Sequence, residues 1–346
     1  MSRPPGQRFR SGRAAAVGLA LVAGATGGLA GCAVGTSNSQ TQSIPKVSGR
    51  KVDATTSTVT LPGDDKPTIL LGTMNTPEQF ILGDLYRLAL QAQGYRVSLS
   101  PNIGPTPVRL EAMKQQSLDI YPEYLNVWDE TVVGVHRRPK SLRGAYAVGQ
   151  AYAKRQHLKL LTPTPFSDTS GIAVRARYAR RHGLRTLLDL RTVASRVTLG
   201  GPLEFTQGPD GLLTVEHEYR FGPIATKGVA IGDQYTALQK HEIGAAYVGT
   251  SDPELTEPEF RVLADPKHVF GFGNVVPVVS KMALRAEGPV FARTINRIDR
   301  LLTQSAIRGL NFEVETSQEK PEEVAMEFLQ GNGILPPPVY STTTTT

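Results

Sequence analysis

The amino-acid sequence predicts an α/β fold large enough for two domains, and three observations carry that expectation. Short apolar runs alternate with stretches of helical period from residue 69 to about residue 330, as strands and helices laid down in turn would read. About 280 residues follow a Ser/Thr-rich segment, and with 40% apolar residues in the chain they can fill two cores of ordinary size. A single cysteine, Cys32, leaves no disulfide framework, so the fold must stand on its cores.

Arg3, Arg8, Arg10 and Arg13 precede an uncharged apolar run from Ala14 to Ala30, which is the order of a basic n-region and an h-region. The run is rich in Gly and Ala and falls short of the ~20 strongly apolar residues of a spanning helix. Residues 1–31 therefore read as a signal peptide. Residues 32–66 are Ser, Thr, Gln, Gly and Val without a sustained period, a flexible tether whose random-coil reach is ~30 Å.

Ile69, Leu70 and Leu71 predict the first strand. Thr76, Pro77 and Gln79 predict the N-cap, first position and capping box of a helix whose apolar face is Ile81, Leu85, Leu88 and Ala92, with Gly94 ending it. A strand at Val97 and Leu99, a helix over 107–116 and a strand over 118–121 follow, the last running into a Pro-containing loop. Further strands are expected at 159–161, 172–174, 197–199, 245–248, 261–263 and 275–279, mostly parallel. Helices are expected near 142–156, 210–219, 233–240, 289–303 and 321–330. The Pro run and closing threonines of residues 336–346 predict a disordered tail.

The net charge of +7 falls to +3 once the four n-region arginines are removed, and no Lys/Arg stripe remains. A nucleic-acid partner is thereby excluded. His136, His157, His182, His217, His241 and His268 are scattered, with no i, i+4 pair, so no metal site is expected. Neither a G-x-S-x-G elbow nor a G-x-x-x-x-G-K loop occurs, and Asp129-Glu130 reads as a solvated pair. The sequence predicts no enzyme and no cofactor.

Aromatic residues cluster instead at a strand end, in Asp119-Ile120-Tyr121-Pro122-Glu123-Tyr124 with Trp128 close behind. Ligands of open α/β sheets bind beyond the carboxyl ends of strands, where this loop is expected. A trimethylammonium group has no N–H to offer and is held by aromatic faces at ~0.5 to 2 kcal/mol per ring. Each Tyr taken alone also reads as a rim residue of the core with its hydroxyl in water.

Two resemblances follow from these residues. Leu29-Ala30-Gly31-Cys32 resembles the lipobox of bacterial lipoproteins, which implies a lipidated Cys32 and an extracytoplasmic, membrane-anchored protein. Residues 67–335 resemble the solute-binding proteins of ABC-type glycine betaine, choline and carnitine uptake systems. The landmarks are Asn75-Thr76-Pro77-Glu78-Gln79 with Ile81-Leu82-Gly83, the Asp119–Tyr124 segment, Pro165-Phe166-Ser167-Asp168-Thr169, Glu204-Phe205 ahead of Asp210-Gly211-Leu212, and Asp265-Pro266 leading to Phe270 and Asn274-Val275-Val276-Pro277.

The resemblance implies the two-lobed, type II periplasmic-binding-protein fold with two hinge crossings, near Asp168 and near Asn274. Residues 67–168 plus 275–335 would form lobe one and residues 169–274 lobe two. It implies a quaternary-ammonium solute and ABC permease subunits as partners. The ligand-binding residues it points to are Asn75, Gln79, Tyr121, Tyr124, Asp168, Thr169, Ser170, Tyr247, Thr250, Phe272 and Asn274. The family's Lys falls on Met74, its Tyr on Ser170, a carboxylate-gripping Arg near Gly208, and two later cage tyrosines on Gly249 and Gly273. Tyr247 or Phe272 could stand in for those rings. The depleted cage leaves open a different small polar solute; a lipid-anchored enzyme and a sensory lipoprotein are the readings from other classes.

Overall fold

The computed structural model describes residues 60–135, 139–207 and 211–337. The signal, Cys32, most of the tether, His136, Gly208, Asp210 and nearly all of the tail lie outside them. Ten strands are described: β1 (Ile69–Gly72), β2 (Val97–Ser100), β3 (Ile120–Tyr124), β4 (Leu158–Leu160), β5 (Ser170–Arg175), β6 (Thr198–Gly201), β7 (Ala225–Gly228), β8 (Ala245–Gly249), β9 (Phe260–Val262) and β10 (Val275–Ser280). They form two five-stranded sheets, ordered β2-β1-β3-β10-β4 and β7-β6-β8-β5-β9. The chain leaves the first sheet after β4 and returns to it only at β10, so it crosses between the sheets twice.

Most strands run one way, as expected, with one reversed strand in each sheet. β1 runs parallel to β2 and β3, but β10 is antiparallel to both β3 and β4. In the second sheet β6 is parallel to β7 and β8, while β5 is antiparallel to β8 and β9. A strand that re-enters from the other lobe arrives at the hinge end of its sheet and must run away from it, against its neighbours.

Each sheet is covered on both faces, as buried strands require. Ile69, Leu71, Ile120, Val275 and Val279 pack against the helices Pro77–Gln91, Pro289–Leu301 and Pro321–Gly331. Tyr121, Val276 and Val278 face the other way, toward Trp128 and the helix Leu142–Arg155. In the second sheet Ile172, Leu199 and Ala245 face the helix Leu212–Tyr219, and Ala173, Ala246 and Val248 face the helix Gln234–Gln239.

The alternation along β3 matters for everything that follows. Successive strand residues point to opposite faces, so Tyr124 shares the first core with Ile120 while Tyr121 belongs to the second. Between them Glu123 points with Tyr121 and is fully buried, paired to the equally buried Arg109 at 2.9 Å. The Thr106 hydroxyl donates to Glu123 Oε2 at 2.9 Å and the Tyr124 N–H to Oε1 at 3.0 Å. The Arg109 guanidinium also stands 4.9 Å over the Tyr121 ring. Burial pushes the Glu123 carboxyl upward, and Arg109 opposes that shift.

Removing one member of a dry pair strands the other. Arg109→Ala is expected to lower unfolding free energy by about 3–5 kcal/mol in urea titrations, and an Arg109→Met/Glu123→Leu double variant to recover most of that loss. A double variant no better than the single one would show that the pair is not what the site requires.

Candidate functional site

The two crossings lie back to back. The Asp168 N–H donates to Gly273 O at 3.0 Å, and Ser167 and Asn274 form an antiparallel bridge. A Cβ on Gly273 would overlap the Asp168 carbonyl oxygen, so no side chain can stand there. Thr250 latches the first crossing to the end of β8: its hydroxyl donates to Ser167 O at 2.7 Å and accepts from the Thr169 N–H at 2.9 Å. The Asn274 side-chain amide donates to Thr164 O at 2.9 Å and Phe166 O at 3.0 Å. Thr250 also reaches outside the crossings, its carbonyl accepting from the Gln304 amide at 2.8 Å and the Arg308 guanidinium at 2.9 Å.

Beside the hinge lie two acids, Glu78 buried and Asp168 partly buried. Glu78, 5% exposed, accepts from the Tyr124 hydroxyl at 2.8 Å and from the Asn311 amide at 3.0 Å. Asn311 also donates to Ser251 O at 3.0 Å, which ties lobe one to the segment after β8. Ser251 hydrogen-bonds both Glu78 and Asp168. Burial raises the Glu78 carboxyl. Burial, and then the Glu78 charge, push Asp168 up to about 7. Two carboxyls in one dry site resist a second charge, so the pair holds a proton near neutral pH. Burial, followed by the Glu78 and Asp168 charges, raises the Tyr124 phenol well above its ordinary value and keeps it a donor. Further along, Asp252 accepts from the Tyr235 hydroxyl at 2.7 Å and the Gly249 N–H at 3.0 Å.

The second lobe contributes rings. Phe205 lies 4.6 Å from Tyr247 and 6.2 Å from Phe270, centroid to centroid, and the Tyr247 hydroxyl is 3.3 Å from Ser170 Oγ. Phe205 follows β6, Tyr247 stands near the end of β8, and Ser170 opens β5, so the group sits at the sheet edge from which the hinge departs. A cavity of about 290 Å³ adjoins it, lined by Ser170, Thr250, Phe270, Phe272 and Asn274 among others. Phe272 stacks at 4.5 Å on His268. Rings beside buried carboxyls, with few free donors, form a surface suited to a poorly hydrated cation.

The structure thus gathers Asp168, Thr169, Ser170, Thr250, Phe272 and Asn274 at the hinge, with Tyr247 on the adjacent sheet edge. Gln79 is fully buried, and its Oε1 accepts from the Met74 N–H at 3.4 Å, whereas the expected capping box would direct that oxygen to Thr76. Thr76 still caps the helix, accepting from the Gln79 N–H at 3.4 Å. The Gln79 amide nitrogen has no partner among the described residues, and Asn75 is exposed at the helix entry.

Tyr121 is displaced from the expected site. The strand expected over 118–121 runs on through Tyr124 where a loop was expected, Tyr121 is fully buried, and its parity turns it away from Tyr124. Trp128 is likewise buried, its indole donating to Gly149 O at 3.3 Å. The positions Gly249 and Gly273 are not lost rings but packed backbone: a Cβ on Gly249 would overlap the Asp252 carboxylate. Glu78, Ser251, Asn311, Phe205 and Phe270 were not singled out as site residues. Glu204-Phe205 carried the resemblance, so Phe205 was within reach; Glu78 reads as an ordinary acid in a helix's first turn.

Comparison with known proteins adds the following. Residues 67–331 match the family described as the substrate-binding domain of ABC-type glycine betaine transport systems. A protein of Pseudomonas aeruginosa named glycine-betaine-binding protein is 29% identical over 280 residues, covering 78% of this chain and 89% of the relative. The ergothioneine transport permease/ergothioneine binding protein EgtU of Helicobacter pylori is 23% identical over 274 residues; the match covers 78% of this chain but only 48% of that protein. The solved structure titled apo YehZ from Escherichia coli aligns with a TM-score of 0.69 at 25% identity, covering 78% of this chain and 99% of that one.

The acid pair makes stability depend on pH. The folded protein retains the Asp168 proton up to about pH 7, while an unfolded aspartate, with its ordinary value of 3.8, has released it. Between those values the native state binds more protons, so this group's contribution is fully present below the lower value and is lost as pH rises through the upper. Asp129, expected as half of a solvated pair but only 4% exposed, is pushed up to about 7 by burial and then Glu130 and acts in the same direction. Melting temperature is therefore expected to fall from pH 5 to 8, and Asp168→Asn to flatten that slope, by at most about 1.4 kcal/mol per pH unit. An unchanged slope in the variant would assign the proton elsewhere.

Proposed function

The chain belongs to the family of substrate-binding domains of ABC-type glycine betaine transport systems, and from that membership we propose that it binds a quaternary-ammonium osmolyte between its lobes and presents it to a permease. The observation that carries the reading to the ligand is the ring group Phe205, Tyr247 and Phe270, joined through Ser170 to the crossing that holds Asp168 and to the hinge cavity. A trimethylammonium head would lie against the rings, with Asp168 supplying a nearby carboxyl. Lobe one, residues 67–168 plus 275–335, and lobe two, residues 169–274, would close on it. Closure follows from differential affinity: a solute touching both lobes favours the closed form, which the permease reads. In this reading the protein binds and releases its solute without chemistry.

The same reading places the protein on the outer face of a cell membrane, held through a lipidated Cys32. Among the described residues no helix is long and apolar enough to cross a membrane; the support for the anchor is the lipobox-like segment Leu29-Ala30-Gly31-Cys32.

Calorimetry with millimolar glycine betaine, carnitine, choline and ergothioneine is expected to show saturable heat with at least one. Tyr247→Ala should weaken that ligand about 2- to 30-fold, the worth of one ring at ~0.5–2 kcal/mol, whereas Tyr121→Phe, in the core, should leave it unchanged. No heat and no thermal shift with any of the four would defeat the assignment. For the anchor, labelled palmitate is expected to enter the expressed full chain and to be absent from Cys32→Ser; equal labelling of both would refute it.

A further inference from the structure

A second pocket opens at the end of lobe one farthest from the hinge. β3 begins there after Leu118, β4 begins there at Leu158, and β10 ends there at Ser280, whereas Tyr124 and Val275 pair at the hinge end of the same sheet. The pocket holds about 490 Å³, within the ~300–1,000 Å³ range of small-molecule sites.

Its floor is apolar. Met113, Leu118 and Leu158 line it with 4%, 2% and 6% exposure, and Leu110 and Tyr152 complete it half-buried. Its rim is cationic: Lys114, Arg155, Lys281 and Arg285 all line it, with His157 between them. No aspartate or glutamate is among the lining residues. The Arg155 guanidinium lies 5.3 Å over the Tyr152 ring and the Lys281 amine donates to Lys154 O at 3.2 Å, contacts that position the charges without neutralising them. Only Lys114 has a carboxylate near it, that of exposed Glu111 at 3.7 Å. Among the described residues Arg155, Lys281 and Arg285 have no ion-pair partner.

An apolar floor under converging positive charge suits a molecule with both an alkyl chain and an anionic head. The same field repels a quaternary cation, so this is not a second seat for the osmolyte. We propose that this pocket binds an anionic amphiphile, a carboxylate or phosphate ester, with an alkyl chain on the Met113–Leu118–Leu158 floor and its head between Arg155, Lys281 and Arg285. The inference does not depend on the ligand assigned to the cleft. The segment leading into β1 passes this pole too, the Lys66 amine donating to Ala286 O at 3.0 Å beside Arg285, which gives a membrane lipid and a free fatty acid equal standing as sources.

Isothermal titration of the full chain with sodium dodecanoate and with dodecyl phosphate, below their micellar concentrations, is the test. One-to-one saturable binding is expected, and dodecyltrimethylammonium, with the same chain and the opposite head, should fail to displace it. Arg285→Glu and Lys281→Glu, on the exposed rim, are expected to weaken it roughly tenfold or more while leaving osmolyte heat and melting temperature in place. Absence of saturable binding, equal displacement by the cationic amphiphile, or indifference to both charge reversals would each overturn the proposal. Sedimentation with phosphatidylglycerol vesicles then separates the sources: binding lost in Arg285→Glu identifies a bilayer lipid, and no binding alongside dodecanoate affinity identifies a free amphiphile, either result supporting the pocket.

Discussion

The architecture depends on one close approach of backbone to backbone. Two chain segments must cross between the lobes side by side, and they do so with the Asp168 N–H on the Gly273 carbonyl and no room for a Cβ on Gly273. The Thr250 hydroxyl on Ser167 and Thr169 and the Asn274 amide on Thr164 and Phe166 hold the crossings together, while the Thr250 carbonyl, accepting from Gln304 and Arg308, ties them to the helix Gln304–Glu315. They also explain the antiparallel return of β10, because a chain coming back through the crossing enters the first sheet at its hinge end.

Charge is distributed along the molecule with the same logic. At the hinge end lie Glu78, Asp168 and Asp252, their carboxyls raised chiefly by burial. At the far end of lobe one lie Lys114, Arg155, Lys281 and Arg285 over an apolar floor. Buried acids next to rings and exposed bases next to aliphatic side chains are two different solvents for a ligand. The first suits a cation and the second an anion.

Much of the secondary structure was legible. The first helix, the strands at β1, β2, β5, β8 and β10, and the helices Leu142–Arg155, Gln234–Gln239, Pro289–Leu301 and Pro321–Gly331 all carry strong periods or caps and appear where expected. β7 escaped because Ala225-Thr226-Lys227-Gly228 is an exposed edge strand with no apolar alternation to read. The helix Gln304–Glu315 escaped although Ile307 and Leu310 are spaced for one face, since Gly309 lowers helix propensity at its centre. The glycines at 249 and 273 read as missing rings because a residue type shows what a position lacks, and only coordinates show that nothing larger fits.

By itself the sequence determined the α/β class and the order of most elements, because short-range periodicity and capping are written in neighbouring residues. The landmark segments were sufficient for the family resemblance. Only the tertiary structure decided which face each β3 side chain took, separating Tyr121 from Tyr124 by one pleat, and brought Glu78, Asp168, Ser251 and Asn311 together from four distant stretches of chain. Those contacts depend on sheet register and hinge closure, quantities set by the packing of residues far apart in sequence, and no local pattern encodes them.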